Sequence, residues 1–320
     1  MKKEFWDGRN VLVTGAGGFK GSHLVEELSK TDANIISLVR DFDPRSYFET
    51  EGLGKKSTVV IGDIKDPVKI ADIMSRYDIN SVFHLGAQPL VTTALRNPKE
   101  TLESNIMGTV NVLEAARLYS NATEILVVSS DKAYGPCDKL PYSETERLQG
   151  RAPYDVSKSC ADLIAQMYAK VFDMPVTVSR CANVFGPGDL NLDRLVPGIM
   201  EAVIKGKALN IRSDGKMIRE YIYVKDSVDG YMTLLENIDK TRGEAFNIAG
   251  KEILSVIDAV NRVSSALGQQ VSMNILNKAK AEIGEQYLDG SKIKNLLGWE
   301  PETPFDDAVR QTYDWYKQVL

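Results

Sequence analysis

Two short strings hold the side chains best suited to acid–base work. Ser129-Ser130-Asp131-Lys132-Ala133-Tyr134-Gly135 follows an apolar run, Ile125 to Ser129, and Tyr154-Asp155-Val156-Ser157-Lys158 opens a segment of helical period. A Tyr and a Lys four residues apart share one helical face, so the ammonium stands near the phenol and lowers its pKa. Tyr154 then becomes a usable general base near neutral pH. Asp131-Lys132 places a carboxylate and an ammonium side by side, as acid and base or as a plain surface ion pair.

A third string says what such a base would work beside. Val11-Leu12-Val13-Thr14 runs into Gly15-Ala16-Gly17-Gly18-Phe19-Lys20-Gly21, a strand, a tight turn and a helix start. Gly15 permits the sharp turn, Gly18 the close approach of a phosphate, and Gly21 the packing of helix on strand. The context predicts a dinucleotide whose pyrophosphate rests on the helix start. A nicotinamide's positive charge would further lower the Tyr154 pKa. Asp41, 20 residues past Gly21, suits the ribose hydroxyls of NAD, whereas Arg40 suits a 2′-phosphate or stacks on adenine. NAD is the reading taken, with NADP left open. Asp63-Ile64 is placed at the adenine amino group, its alternative being a helix cap.

The elements that must carry these strings alternate along the chain. After the first strand come Ile35 to Val39, Thr58 to Ile61, Ser81 to Leu85, Ile125 to Ser129 and Val176 to Ser179, separated by helix-like sequence. This predicts an α/β fold, a Rossmann-type doubly wound parallel sheet covered on both faces, with a smaller C-terminal α/β substrate lobe. The expected boundaries are a dinucleotide-binding domain over 1–182, with a return near 220–250, and a nucleotide-sugar-binding lobe over 183–320. Stripes on two helices, Ile106, Val110, Leu113 and Ala116 on one, Cys160, Leu163, Ile164 and Met167 on the other, read as core in isolation. With 320 residues the chain can bury a large core. A net charge of −5 without a basic block argues against nucleic acid. Cys137, Cys160 and Cys181 form no close pair and fit a reducing compartment. The opening residues lack the apolar run of a signal peptide, so a cytoplasmic protein without membrane contact is expected. His23 and His84 are isolated, and no metal site is proposed.

Taken together, Val13-Thr14-Gly15 to Gly21, His84-Leu85-Gly86-Ala87-Gln88, Asn105-Ile106-Met107-Gly108-Thr109, Ser130, and Tyr154 to Lys158 resemble the extended short-chain dehydrogenase/reductase family acting on nucleotide sugars. Gly18-Phe19-Lys20-Gly21-Ser22, Ala87-Gln88-Pro89-Leu90-Val91, Ser130-Asp131-Lys132 and Asn183 with Asp193-Arg194-Leu195-Val196-Pro197 resemble its CDP-glucose 4,6-dehydratase branch. The resemblance implies transient oxidation of a CDP- or UDP-linked hexose at C4, water elimination across C5 and C6, and return of hydride to C6. It gives Tyr154 the hydroxyl proton, Ser130 a hydrogen bond to the oxygen and Lys158 the ribose. Asp131 is taken as acid and Lys132 as base, or the reverse. Leu85, Ala87, Gln88 and Asn105 fall to the cofactor, with Gln88 shared by the substrate.

On the substrate side, Asn183, Arg194, Leu195, Arg212 and Arg219 are the candidates, Arg being the better shape for a bidentate diphosphate contact. A 4-epimerase or reductase would use the same Tyr154 machinery, as would an enzyme acting after a C5-inverting dehydratase. A scaffold that has kept only the fold is the reading from another class. The resemblance also implies a homodimer in which the helices near 102–119 and 154–171 pair with their mates as a four-helix bundle.

Overall fold

The computed structural model describes residues 2–137, 139–278 and 283–320. The strands are β1 (Asn10–Thr14), β2 (Asn34–Val39), β3 (Thr58–Ile61), β4 (Ser81–His84), β5 (Glu124–Val128), β6 (Val176–Cys181), β7 (Asn183–Phe185), β8 (Leu209–Ile211), β9 (Ile218–Tyr223), β10 (Ala245–Ile248), β11 (Glu252–Ser255), β12 (Met273–Ile275) and β13 (Glu285–Gln286). Among the described residues, seven of them form one parallel sheet in the order β10-β6-β5-β4-β1-β2-β3. The order reverses between β1 and β4, and the crevice beyond their carboxyl ends is where open α/β sheets take ligands. The fold is the doubly wound parallel sheet that the alternating pattern predicts.

Both faces of the sheet are covered, which is why its central strands read as unbroken apolar runs. Val11, Val13, Leu126 and Val128 enter one core, while Leu12, Ile125 and Val127 enter the other. The exception is the edge strand β3, where Val59 and Ile61 face solvent.

The helix Pro153–Val171 departs from the reading of its stripe as core. Its buried face is Ser157, Lys158, Ala161, Asp162, Ala165 and Tyr168, whereas Leu163 is 54% and Met167 40% exposed. Small and functional residues let the helix lie close against the sheet, and the larger apolar side chains point away. The other expected helix is interrupted: Pro98–Leu102 leads into a π-helical turn, Glu103–Met107, before Gly108–Tyr119. The turn carries Asn105, one of the residues expected at the cofactor.

The remaining strands form a smaller layer. β9 has β11, β13 and β7 as neighbours, and β8 pairs with β12. Glu220 on β9 fastens it: one carboxylate oxygen accepts from Gly250 N and the other from Leu288 N at 2.6 Å. Among the described residues no helix is long and apolar enough to cross a membrane.

Candidate active site

The glycine turn forms a backbone cradle that side chains would fill. Gly15 sits at φ +70°, and a Cβ there would stand 2.9 Å from Gly86 Cα; one on Gly21 would stand 2.1 Å from Gly15 O. β1, the loop after β4 and the helix Phe19–Leu28 therefore meet at distances only glycine permits. The first N–H groups of that helix lack intrahelical acceptors and face the groove, which fits a pyrophosphate. The side chains of Phe19 and Lys20 line the adjoining cavity of about 670 Å³. Lys20 Nζ donates to Tyr231 Oη at 3.2 Å, and burial lowers its pKa.

Along the rest of the groove, Arg40 and Asp41 are exposed and paired with each other at 2.6 Å. Asp63 accepts from Lys65 N at 2.9 Å, and Ile64 is buried with Asn111 donating to its carbonyl. Leu85 and Ala87 lie half-buried on the loop after β4. Gln88 and Asn105 are turned toward one another rather than into the cavity. Asn105 Oδ1 accepts from Gln88 N at 2.7 Å, its Nδ2 donates to Gln88 O and Ser157 Oγ, and the Gln88 amide donates to Thr101 Oγ1. His84 is a structural link: its ring bridges Thr14 and Thr109, and burial, with the charge of Lys158, holds its pKa down to about 3.

Beyond β5 the chain tightens into a 3-10 turn, Asp131–Tyr134, capped by Ser130, whose Oγ accepts from Lys132 N at 3.2 Å. Ser130 Oγ donates to Asp131 Oδ1 at 2.8 Å. Asp131 is buried, and among the described residues its Oδ2 accepts no hydrogen bond; Lys132 Nζ is 4.0 Å from it. The structure brings Ser130, Asp131, Lys132 and Tyr154 onto one wall of the cavity. Lys158 lies behind that wall, donating from Nζ to Val128 O at 2.9 Å.

Electrostatics here differ from the sequence reading. Burial pushes the Tyr154 phenol up to about 12, against the opposing charge of Arg194 and a hydrogen bond with Ser130. Burial, aided by the nearby charge of Lys20, pulls Lys158 down to about 7. Removal from water disfavours both charged forms and outweighs their spacing on the helix.

Several residues that position this wall escape sequence reasoning. Arg180 on β6 and Asp162 on the helix Pro153–Val171 form a buried bidentate pair at 2.8 and 3.0 Å. Arg180 Nη1 also donates to Tyr134 Oη, which donates to Asn247 Oδ1 on β10. The helix bearing Tyr154 is thereby tied to the turn bearing Asp131. An arginine inside the apolar run of a central strand is the one local signal, since it demands a partner.

The opposite wall comes from the smaller layer and supplies Asn183, Arg194, Leu195, Arg212 and Arg219. Asn183 Nδ2 donates to Glu220 O at 3.1 Å, Arg194 pairs with Asp189 at 2.9 Å, and Arg212 reaches Asp193 O at 3.4 Å. Arg219 donates to the carbonyls of Ile218 and Ile283 at 2.8 and 2.7 Å. Counting Lys20, Lys132 and Lys207 as well, the cavity lining carries more cations than the acids Asp131, Asp193 and Glu201. That excess suits a diphosphate ester.

Comparison with known proteins agrees with this arrangement. Residues 12–312 match the family model described as GDP-mannose 4,6 dehydratase. The CDP-glucose 4,6-dehydratase of Salmonella typhimurium is 30% identical over 335 residues, covering 99% of this chain and 93% of that protein. A dTDP-glucose 4,6-dehydratase from Streptomyces venezuelae, solved with NAD bound, superposes with a TM-score of 0.88 at 26% identity, covering 97% of each chain. The UDP-glucuronic acid 4-epimerase of Bacillus cereus also reaches 0.88, at 27% identity, covering 97% of this chain and all, 100%, of that one.

Proposed function

The chain belongs to the GDP-mannose 4,6-dehydratase family, and on that premise we propose that it is an NAD-dependent 4,6-dehydratase converting a CDP- or UDP-linked hexose to its 4-keto-6-deoxy product. A bound nicotinamide supplies the acceptor for hydride from C4 and its donor back to C6. The cradle of Gly15, Gly18 and Gly21 holds the pyrophosphate, Asp41 the adenosine ribose and Lys158 the nicotinamide ribose. Ser130 donates to the C4 oxygen while Tyr154 takes its proton. Once C4 is a ketone, the C5 hydrogen is acidic. Lys132 removes it and Asp131 protonates the departing C6 hydroxyl, or the two exchange roles. On the other wall Arg194, Arg212 and Arg219 hold the diphosphate.

One observation carries the choice of dehydratase over epimerase. Tyr154 serves both reactions, but an epimerase has no use for the buried Asp131 carboxylate, whose Oδ2 is left without a hydrogen bond among the described residues and lines the cavity with Lys132. Incubation with CDP-, UDP-, dTDP- and GDP-hexoses followed by mass spectrometry tests this. Loss of one water without net cofactor turnover, abolished in Asp131→Asn and Lys132→Met, is expected. An isomeric product made equally well by both variants makes the protein an epimerase.

The exposed stripe Leu163, Met167 and Val171, with Met107 and Leu118 also in solvent, supports a homodimer through paired helices. Sedimentation at micromolar concentration should show a dimer that Leu163→Glu dissociates.

A further inference from the structure

We propose that Gln286 is a positioning residue for the acid–base pair, an inference that rests on the dehydratase reading of Asp131 and Lys132. Gln286 ends β13 and is fully buried. Its Oε1 accepts a hydrogen bond from Lys132 Nζ, and its Nε2 donates to the backbone carbonyl of Asp131 at 3.1 Å. One amide thus holds the Lys132 ammonium and the backbone that carries Asp131, from 154 and 155 residues away in the chain.

The chemistry asks for such a group. Lysine ends a flexible four-carbon stem, and with Asp131 Oδ2 only 4.0 Å away its ammonium would otherwise close on that oxygen. A contact ion pair would bind the proton more tightly on Lys132 and occupy the Asp131 oxygen that must reach substrate. A neutral amide carbonyl draws the ammonium aside without adding negative charge. Among the described residues, the charged groups facing Lys132 include Asp131 on its own turn and Asp155 on the helix Pro153–Val171. Gln286 also stands opposite Arg219 in the pairing of β13 with β9. A single rung therefore joins the diphosphate wall to the elimination machinery.

Two variants, Gln286→Leu and Gln286→Glu, test this in the NAD-loaded enzyme. The leucine variant should lose about tenfold to hundredfold in kcat for dehydration, with KM within about threefold of wild type, because the pair is displaced and not the nucleotide. The glutamate variant, nearly isosteric, should move the pH limb governed by Lys132 upward by about one unit, since an adjacent anion favours the ammonium. A second readout needs no turnover: the pH midpoint for acylation of Lys132 by a small amine-reactive reagent, followed by peptide mass spectrometry, should rise likewise in Gln286→Glu. Unchanged kcat in the leucine variant, a change in KM alone, or an unshifted Lys132 midpoint overturns the positioning role. If wild type dehydrates no nucleotide hexose, the dehydratase reading fails; the Lys132 midpoint still decides whether Gln286 governs that ammonium.

Discussion

On the cavity wall built from the main sheet, ionisable side chains are held out of water. Tyr154 is raised to about 12, Lys158 is lowered to about 7, and both shifts come first from burial. On the wall built from the smaller layer, the cations keep partial exposure and rest on carbonyls and carboxylates that a bound anion can supplement: Arg194 on Asp189, Arg212 on Asp193 O, Arg219 on Ile218 O and Ile283 O. The contrast separates chemistry from binding. A proton-transfer group needs a fixed position and a pKa near the working pH; close packing supplies the first, while burial alone moves the Tyr154 phenol away from neutrality and Lys158 toward it. On the proposed reading a diphosphate needs cations within reach of solvent and ligand, which these arginines, lining the cavity, are.

Substitutions on each side should break the contrast in different ways. Tyr154→Phe removes the proposed base and should lower kcat by about 10²–10⁴-fold while leaving NAD binding intact, as read by steady-state assay and calorimetric titration. Arg180→Met strands the Asp162 carboxylate in the core; unfolding by urea should show a loss of about 3–5 kcal/mol, with the helix carrying Tyr154 the first to lose amide protection.

Glu220→Gln probes the smaller layer at its base. Burial pushes that carboxyl up to about 8, so the folded chain keeps a proton that the unfolded chain releases. Stability from that proton is complete below the ordinary glutamate value of 4.5 and is lost as pH rises toward about 8. The glutamine variant should show a flatter dependence of Tm between those limits. It should also be weaker by about 1–3 kcal/mol at acid pH, because one amide oxygen cannot accept from both Gly250 N and Leu288 N. The smallest effect is expected from Arg219→Ala: about tenfold in KM for the nucleotide sugar with kcat nearly unchanged. A large fall in kcat there would erase the distinction between the two walls.

How much of this is legible in the chain follows the same division. Val11-Leu12-Val13 before Gly15 is a local pattern read correctly without coordinates as strand and turn, and so is the placing of Tyr154 and Lys158 on one helix. The stripe Cys160, Leu163, Ile164 and Met167 misleads because a helical period reports an apolar face without saying what it faces. The close-packed side of that helix is lined instead by Ser157, Ala161 and Ala165, small enough to admit the sheet. At Tyr154, burial raises the phenol to about 12 where spacing alone points downward. Spacing gives the neighbour, but only the depth of burial gives the dielectric.

Sequence by itself therefore determined the parallel sheet, the glycine cradle and the order in which serine, tyrosine and lysine arrive at one end of the strands, since each is set by contacts within a few residues or one βα unit. Only the tertiary structure decided that Arg180 meets Asp162, that Asp131 keeps a buried oxygen without a hydrogen bond among the described residues, and that Gln286 reaches across to Lys132. Those depend on strand register and on which segments cross the cavity, and chain separations of 18 and 154 residues leave no periodic trace.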